Sequence, residues 1–406
     1  MLELTVASIK SYRFCAGGGW LSNGTLVSIG GNGVQSSNTF SQNGVNAIRI
    51  FTPCQDGSII IIGGSRSSGY NNKVSTDNPT IEYFPPKGNG LAIPFKFLSD
   101  ALNSNLFPVI FLLPQTEYLF IAANKLATIY DWKNNREYRL LSMPNGVAIT
   151  YSASAAGALL PLSIANKYAS EVLLCGGTTA NIDGNPTALS SNTATSKHAI
   201  LTPDAKVLLV NGAQTGVAGY GNVANRIGAS NAGNPAYRPT FLARPRERII
   251  TAGSNPNDRV STKSYMTRFN TEYLSPLYMS LPRPVLRSVP SSVNYGASYT
   301  ICFSRTSKTS NIRMVVSDIG YSTHGVYMNQ RWLELLVTSI QNDRLTFTGP
   351  IDTTYYPPGY GWLWVLEHDV PSQGKRVKVG AGASPPSTKS ASANILSMTS
   401  GVDDTV

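Results

Sequence analysis

Short runs of branched apolar residues, each closed by small or polar turn residues, recur along the first two-thirds of the chain. They read "TLVSIGGN" (25–32), "SIIIIGGS" (58–65), "EVLLCGGT" (171–178), "KVLLVNGA" (206–213) and "RIITAGSN" (248–255), with a weaker "YLFIAANK" at 118–125. Runs this short cannot make helices of useful length, and their β-branched content predicts buried strands. Several follow a turn pair such as Asn23-Gly24, Asp56-Gly57 or Pro203-Asp204. From about Pro284 the texture changes to longer alternating segments, among them "RPVLRSVPSSVNYGASYTICFS", "RWLELLVTSI" and "GYGWLWVLEHDVPSQGKRVKVG". These predict five or more strands spaced like those of a small β-sandwich.

A strand-and-turn unit repeated at intervals is the signature of a kelch-like β-propeller, in which each repeat builds one four-stranded blade. The pattern predicts an all-β protein with a propeller over 1–283, an immunoglobulin-like sandwich over 284–380 and a tail over 381–406. The tail, "GAGASPPSTKSASANILSMTSGVDDTV", is rich in Ser, Ala, Gly and Pro and reads as mobile. Kelch blades need about 50 residues each. Gly30 and Gly63, however, stand only 33 residues apart, and Gly176 and Asn211 only 35. Blades near residues 33–56 and 178–206 are therefore expected to be short of strands.

Composition fits this picture, with 36 Gly and 25 Pro, 42% hydrophobic residues and only 14% charged ones. A formal net charge of +11 favours anionic partners such as an acidic glycan. The cations are scattered, their densest group being Arg244–Arg248 with Glu247 inside it, and no nucleic-acid motif accompanies them. The opening "MLELTVASIKSYRF" lacks the apolar stretch of a signal peptide, and no run is long enough to span a bilayer. Cys15, Cys54, Cys175 and Cys302 show no zinc spacing, and P-loop, GxSxG and HExxH motifs are absent.

A propeller followed by such a sandwich resembles the copper radical oxidases, and specific stretches resemble the fungal glyoxal oxidase type. They are "SYRFCAGGGWLSNGTLVSIGGN", "IYDWKNNREYRLLSMPNGVAITYSASAAGALLPL", "VLLVNGAQTGVAGYGNVANRIGASNAGNP", "ITAGSNPNDR", "STHGVYMNQR" and "YYPPGYGWLWVLEHDVPSQGKRVKVG". The resemblance implies a seven-bladed propeller, a single copper held by two tyrosines and two histidines, and a tyrosine joined by a thioether to a cysteine. It implies oxidation of small aldehydes or alcohols with O2 reduced to H2O2, and an extracellular monomer. Imidazoles and phenolates in a tetragonal array suit Cu(II). Cys15 falls on the thioether cysteine and His324 on the histidine that the C-terminal domain delivers.

The other family positions are altered. "AIRIFTPC" runs straight into "QDGSIIIIGG", so the segment bearing the cross-linked tyrosine is missing between Cys54 and Gln55. Alignment puts Ile48 or Phe51 at that tyrosine, and neither carries a phenol. The family's Tyr-His pair corresponds by spacing to Tyr237-Arg238; on a second alignment the pair is deleted altogether. A guanidinium has no lone pair to give a metal. Of the two remaining histidines, His198 in "TSKHAILTP" reads as a surface strand residue and His368 in "LEHDVP" as structural. Cys54 and Cys175 look like cysteines whose family disulfide partners lay in the missing pieces.

The expectation is a glyoxal oxidase-like chain that lacks the radical copper chemistry, either a degenerate paralogue or a sequence from which segments were lost. An active aldehyde oxidase with rearranged ligands, or a propeller that binds a glycan or protein without turnover, are the alternatives.

Overall fold

The structure is a computed structural model. It describes residues 17–29, 50–53, 56–66, 71–179, 194–195, 198–210, 212–216, 232–235, 240–242, 249–254, 260, 262, 266–274, 277–307, 311–328, 330–386 and 388–399. Glycine-closed apolar runs become strands, as their pattern predicts. A hairpin of β1 (Gly17–Trp20) and β2 (Leu26–Ile29) comes first. Two complete four-stranded antiparallel sheets follow. The first is β3 (Ile50–Pro53), β4 (Ile59–Ile62), β5 (Thr80–Phe84) and β6 (Ile93–Pro94). A short helix, α1 (Lys96–Asp100), leads to β7 (Val109–Leu112), β8 (Leu119–Ala123), β9 (Leu126–Asp131) and β10 (Arg136–Arg139). All four isoleucines of β4 are buried, so both faces of that strand pack against protein. Ile60, Ile62, Ile110, Leu112 and Ile121 join Phe95, Phe97 and Tyr130 in one apolar core.

Among the described residues the later strands of this region pair in twos and threes, apart from β11 (Ala156–Leu159) and β12 (Val172–Cys175), which pair with each other and gain two strands from the C-terminal domain. β13 (Gly177–Thr178) pairs with β14 (Ala194–Thr195). β15 (His198–Leu201) and β16 (Val207–Val210) form three strands with β19 (Thr240–Leu242); β17 (Ala213–Gly216) pairs with β18 (Ala232–Pro235). The last pair is β20 (Ile249–Ser254) with β21 (Arg268–Leu274). The repeat's closing glycines have a physical reason at Gly177. Its φ is +98°, and a Cβ there would stand 2.4 Å from the carbonyl oxygen of Ala148.

The C-terminal sandwich has two sheets. One holds β22 (Val285–Ser288), β24 (Ser298–Ser304), β30 (Arg344–Thr348) and β29 (Val337–Gln341). The other holds β23 (Ser292–Val293), β33 (Lys375–Val379), β31 (Gly359–Glu367), β25 (Ile312–Asp318) and β28 (Trp332–Leu335), with β32 (Val370–Pro371) beside β31. Alternation sends Ile301, Phe303, Leu345 and Phe347 of the first sheet against Met314, Val316, Leu363 and Val365 of the second. The propeller-plus-sandwich architecture follows from both halves.

A hairpin of β26 (Tyr321–Thr323) and β27 (Val326–Met328) leaves the sandwich and joins a propeller sheet, ordered β12-β11-β27-β26. Further ties fasten the two halves. Leu162 and the strand β28 exchange backbone hydrogen bonds, Leu162 N–H to Trp332 O at 3.0 Å and Glu334 N–H to Leu162 O at 2.9 Å. Part of the segment whose composition reads as a mobile tail is helical: α2 (Lys389–Thr399) opens on Lys-Ser-Ala-Ser-Ala. Ala391 is buried against Gly90, and the Asn394 amide donates to Asn89 O at 2.6 Å. Alanine favours helix, and contact with the propeller loop adds the burial that an isolated helix of this length lacks.

Candidate functional site

His324 sits at the tip of the inserted hairpin. The tip residues His324 and Gly325 have φ of +52° and +84°, the left-handed pair of a tight two-residue turn. Parallel pairing of Val326 with Gly157 carries this tip into the propeller. The pairing depends on glycine, because a Cβ at Gly157 would stand 2.7 Å from Val109 Cγ1.

Three aromatic groups then meet. The His324 ring stacks on Phe107, with centroids 3.5 Å apart and planes 13° apart, and meets Tyr151 edge-on at 5.1 Å. Its Nδ1 lies 2.6 Å from Thr323 Oγ1. An imidazole fixed through Nδ1 presents Nε2 as the nitrogen a metal would take. The structure thus places His324 at the hairpin tip, the position at which the resemblance expects a histidine.

The strands that should complete the site also gather here. β26 lies beside β1, and the Tyr321 ring covers Gly18 so closely that a Cβ there would be 2.5 Å from Tyr321 Cε2. Gly18 is three residues beyond Cys15, so the hairpin reaches the strand that follows that cysteine. β3 runs beside β1, β7 and β27, which brings the strand of Phe51 to the same place. Phe51 pairs with Ile61 in the ladder, and phenylalanine lacks the phenol that the resemblance calls for.

Cys15, Ile48, Cys54, Tyr237 and Arg238 lie outside the described residues. Cys302 is a free thiol on β24 of the sandwich. His198 opens β15, opposite Val210. His368 occupies the turn between β31 and β32 with φ +49°, its N–H donating to Asn311 O at 3.1 Å. Phe107 lies in no stretch that marked it in the sequence, and Tyr151, inside the stretch 129–162 that carries the resemblance, had no role assigned there; the fold brings both to His324.

Of the copper-site positions that the resemblance names, the structure describes His324 and the strand of Phe51, while Cys15, Tyr237 and Arg238 lie outside the described residues. The chain holds three histidines in all: His324 at the hairpin tip, His368 in a sandwich turn and His198 at the start of β15. Among the described residues no three His, Cys, Asp or Glu side chains converge on a metal position. No catalytic step through copper is derived from these residues.

Comparison with known proteins gives a consistent answer. Residues 55–199 match the family described as glyoxal oxidase N-terminus, and residues 283–379 the galactose oxidase-like early set domain. Aldehyde oxidase GLOX of Vitis pseudoreticulata is 25% identical over 473 residues, covering 93% of this chain and 85% of the relative. Aldehyde oxidase GLOX1 of Arabidopsis thaliana is 23% identical over 470 residues, covering 93% and 73%. Both alignments are longer than the 406-residue chain, so each relative carries stretches with no counterpart here. Among solved structures, a fungal alcohol oxidase of the AA5 family in complex with copper superposes with a TM-score of 0.61 at 15% identity, covering 91% of this chain and 85% of that one. This last likeness concerns the fold.

Proposed function

The chain belongs to the glyoxal oxidase-like copper radical oxidases, and from that premise we propose that it is a member without the family's radical copper chemistry. The observation that carries this reading is the ligand set at the hairpin tip. His324 is positioned, but Phe51 stands in the strand where a phenol is required, and a second imidazole has no assigned place. The missing material supports the same reading. The glyoxal oxidase match begins at Gln55, the residue after the inferred gap, and the relatives' alignments exceed the chain's length.

What remains is a basic propeller and sandwich, and secretion as in the family is part of the proposal. The test is to load purified chain with Cu(II), measure bound copper, and assay peroxide release from methylglyoxal and galactose. The expected outcome is substoichiometric copper, no tyrosyl-radical absorption and no peroxide. One copper per chain with turnover of either substrate overturns the proposal. One observation favours the active alternative: β15, which His198 opens, runs beside β11 and β27. In that reading His198 is the second imidazole, and His198→Ala abolishes copper uptake.

A further inference from the structure

A cavity of about 210 Å³ opens where the outer face of the six-stranded sandwich sheet meets the propeller at Leu201 and Pro203. Its wall is aromatic by register. Trp332, Ser317 and Trp362 stand opposite one another across β28, β25 and β31, and Trp364 lies two residues further along the same face. Two of the indoles are fixed by hydrogen bonds, Trp332 Nε1 to Pro203 O at 2.8 Å and Trp364 Nε1 to Ser317 Oγ at 3.0 Å. Trp362 is 38% exposed and forms the rim.

The polar part of the lining is unusual. Gln330 and Arg331 are 2% and 4% exposed, yet both amide atoms of Gln330 and the Nε and Nη1 of Arg331 have no hydrogen-bond partner among the described residues. The same holds for the buried Oδ2 of Asp318. Arg331 is anchored from one side only, its Nη2 donating to Leu112 O at 3.0 Å. Buried polar atoms in native proteins are almost always satisfied, so such a group of orphans marks a place where another molecule supplies the partners.

From this lining we propose that the cavity binds one ring of a neutral saccharide. The orphaned atoms are mixed: Arg331 and the Gln330 NH2 need acceptors, while Gln330 Oε1 and an ionised Asp318 need donors. A hydroxyl supplies both from one atom. A carboxylate satisfies only the donors and leaves Gln330 Oε1 without one, and an apolar ligand satisfies neither. Water also satisfies both kinds, and about seven molecules would fill the volume at roughly 30 Å³ each. Water, however, gains nothing from a row of indoles, whereas the C–H face of a sugar ring buries apolar surface on them. Burial drives the Asp318 carboxyl well above the usual carboxylate range, against the pull of Arg331, and a neutral, hydrogen-bonding Asp318 is equally compatible with a polyol.

The experiment uses the full chain, with tryptophan fluorescence and saturation-transfer NMR against D-glucose, D-galactose and N-acetyl-D-glucosamine. For sugars of about twelve to fifteen non-hydrogen atoms a Kd on the order of millimolar is expected for at least one of them. Trp362→Ala should weaken that binding about tenfold or more, while Trp362→Phe, which keeps a ring at the rim, retains most of it. Acetate should not compete. No saturable response to any of the three sugars overturns the proposal, as does undiminished binding by Trp362→Ala. Competition by acetate at equal strength overturns it in favour of a carboxylate site.

Discussion

At the residue scale, the side chains with a definite chemical state are those whose neighbours leave little choice. Glu367, at the end of β31, accepts four hydrogen bonds at 2.7–2.8 Å, from the backbone N–H and hydroxyl of both Thr306 and Ser307. Burial alone raises its carboxyl, but the four bonds outweigh that and leave it below its ordinary value of 4.5. A carboxyl depressed in the folded state contributes stability above its unfolded pKa and loses it as pH falls through the folded one. Urea midpoints measured from about pH 6 down to about pH 3 should therefore fall more steeply for the native chain than for Glu367→Gln. Parallel slopes would mean the four bonds do not favour the ionised form. Cys15 is expected to differ on the proposed reading: its family partner is a tyrosine, and alignment puts Ile48 or Phe51 at that position. Peptide mass spectrometry after copper and oxygen should find Cys15 as an unmodified thiol; a Cys–Tyr peptide lacking two hydrogens contradicts this.

At the scale of elements, one close approach sets the position of the His324 hairpin. Gly18 accepts the Tyr321 ring where any side chain would intrude. Gly18→Ala places a methyl within 2.5–2.8 Å of that ring, and overpacking of this kind costs roughly 1–3 kcal/mol. The expected result is a lower melting temperature with faster protease cleavage in 319–329, partly restored when Tyr321→Val is added. An unchanged melting temperature would show that β26 is held by other contacts. The sequence made these strands readable but not their meeting. Isoleucine runs and glycine pairs announced β4, β12 and β16 through local pattern alone. Nothing local in "STHG" says that its hairpin will pair with β11, Val326 with Gly157 (326 − 157 = 169 residues apart), because that pairing depends on Gly157 being small enough for Val109 to pass. Phe107 was silent for the same reason: a stack on histidine leaves no spacing rule.

At the scale of the whole molecule, the described propeller is uneven. Its first two sheets after the β1–β2 hairpin carry four strands each, while β20–β21 stands as a pair with Phe269 80% and Tyr273 62% exposed on one face of β21. Exposed aromatic strand faces are normally covered in a finished blade, and uncovered ones invite association. The same region is where the family's Tyr-His segment is expected, just before Ile249. On the proposed reading one absent segment carries both the ligand pair and the strand that would cover β21, so the two should be repaired together. Restoring the two family segments, between Cys54 and Gln55 and before Ile249, should reduce binding of a hydrophobic dye and raise copper uptake to one per chain. It should also permit peroxide release from methylglyoxal. Arg238→His alone should restore none of these, since it supplies an imidazole but neither the radical tyrosine nor the covering strand. Copper uptake by Arg238→His at full stoichiometry would place the defect at one residue rather than in the missing segments. Improved solubility without copper would separate the two repairs, and would show that the exposed strand and the broken site have different causes.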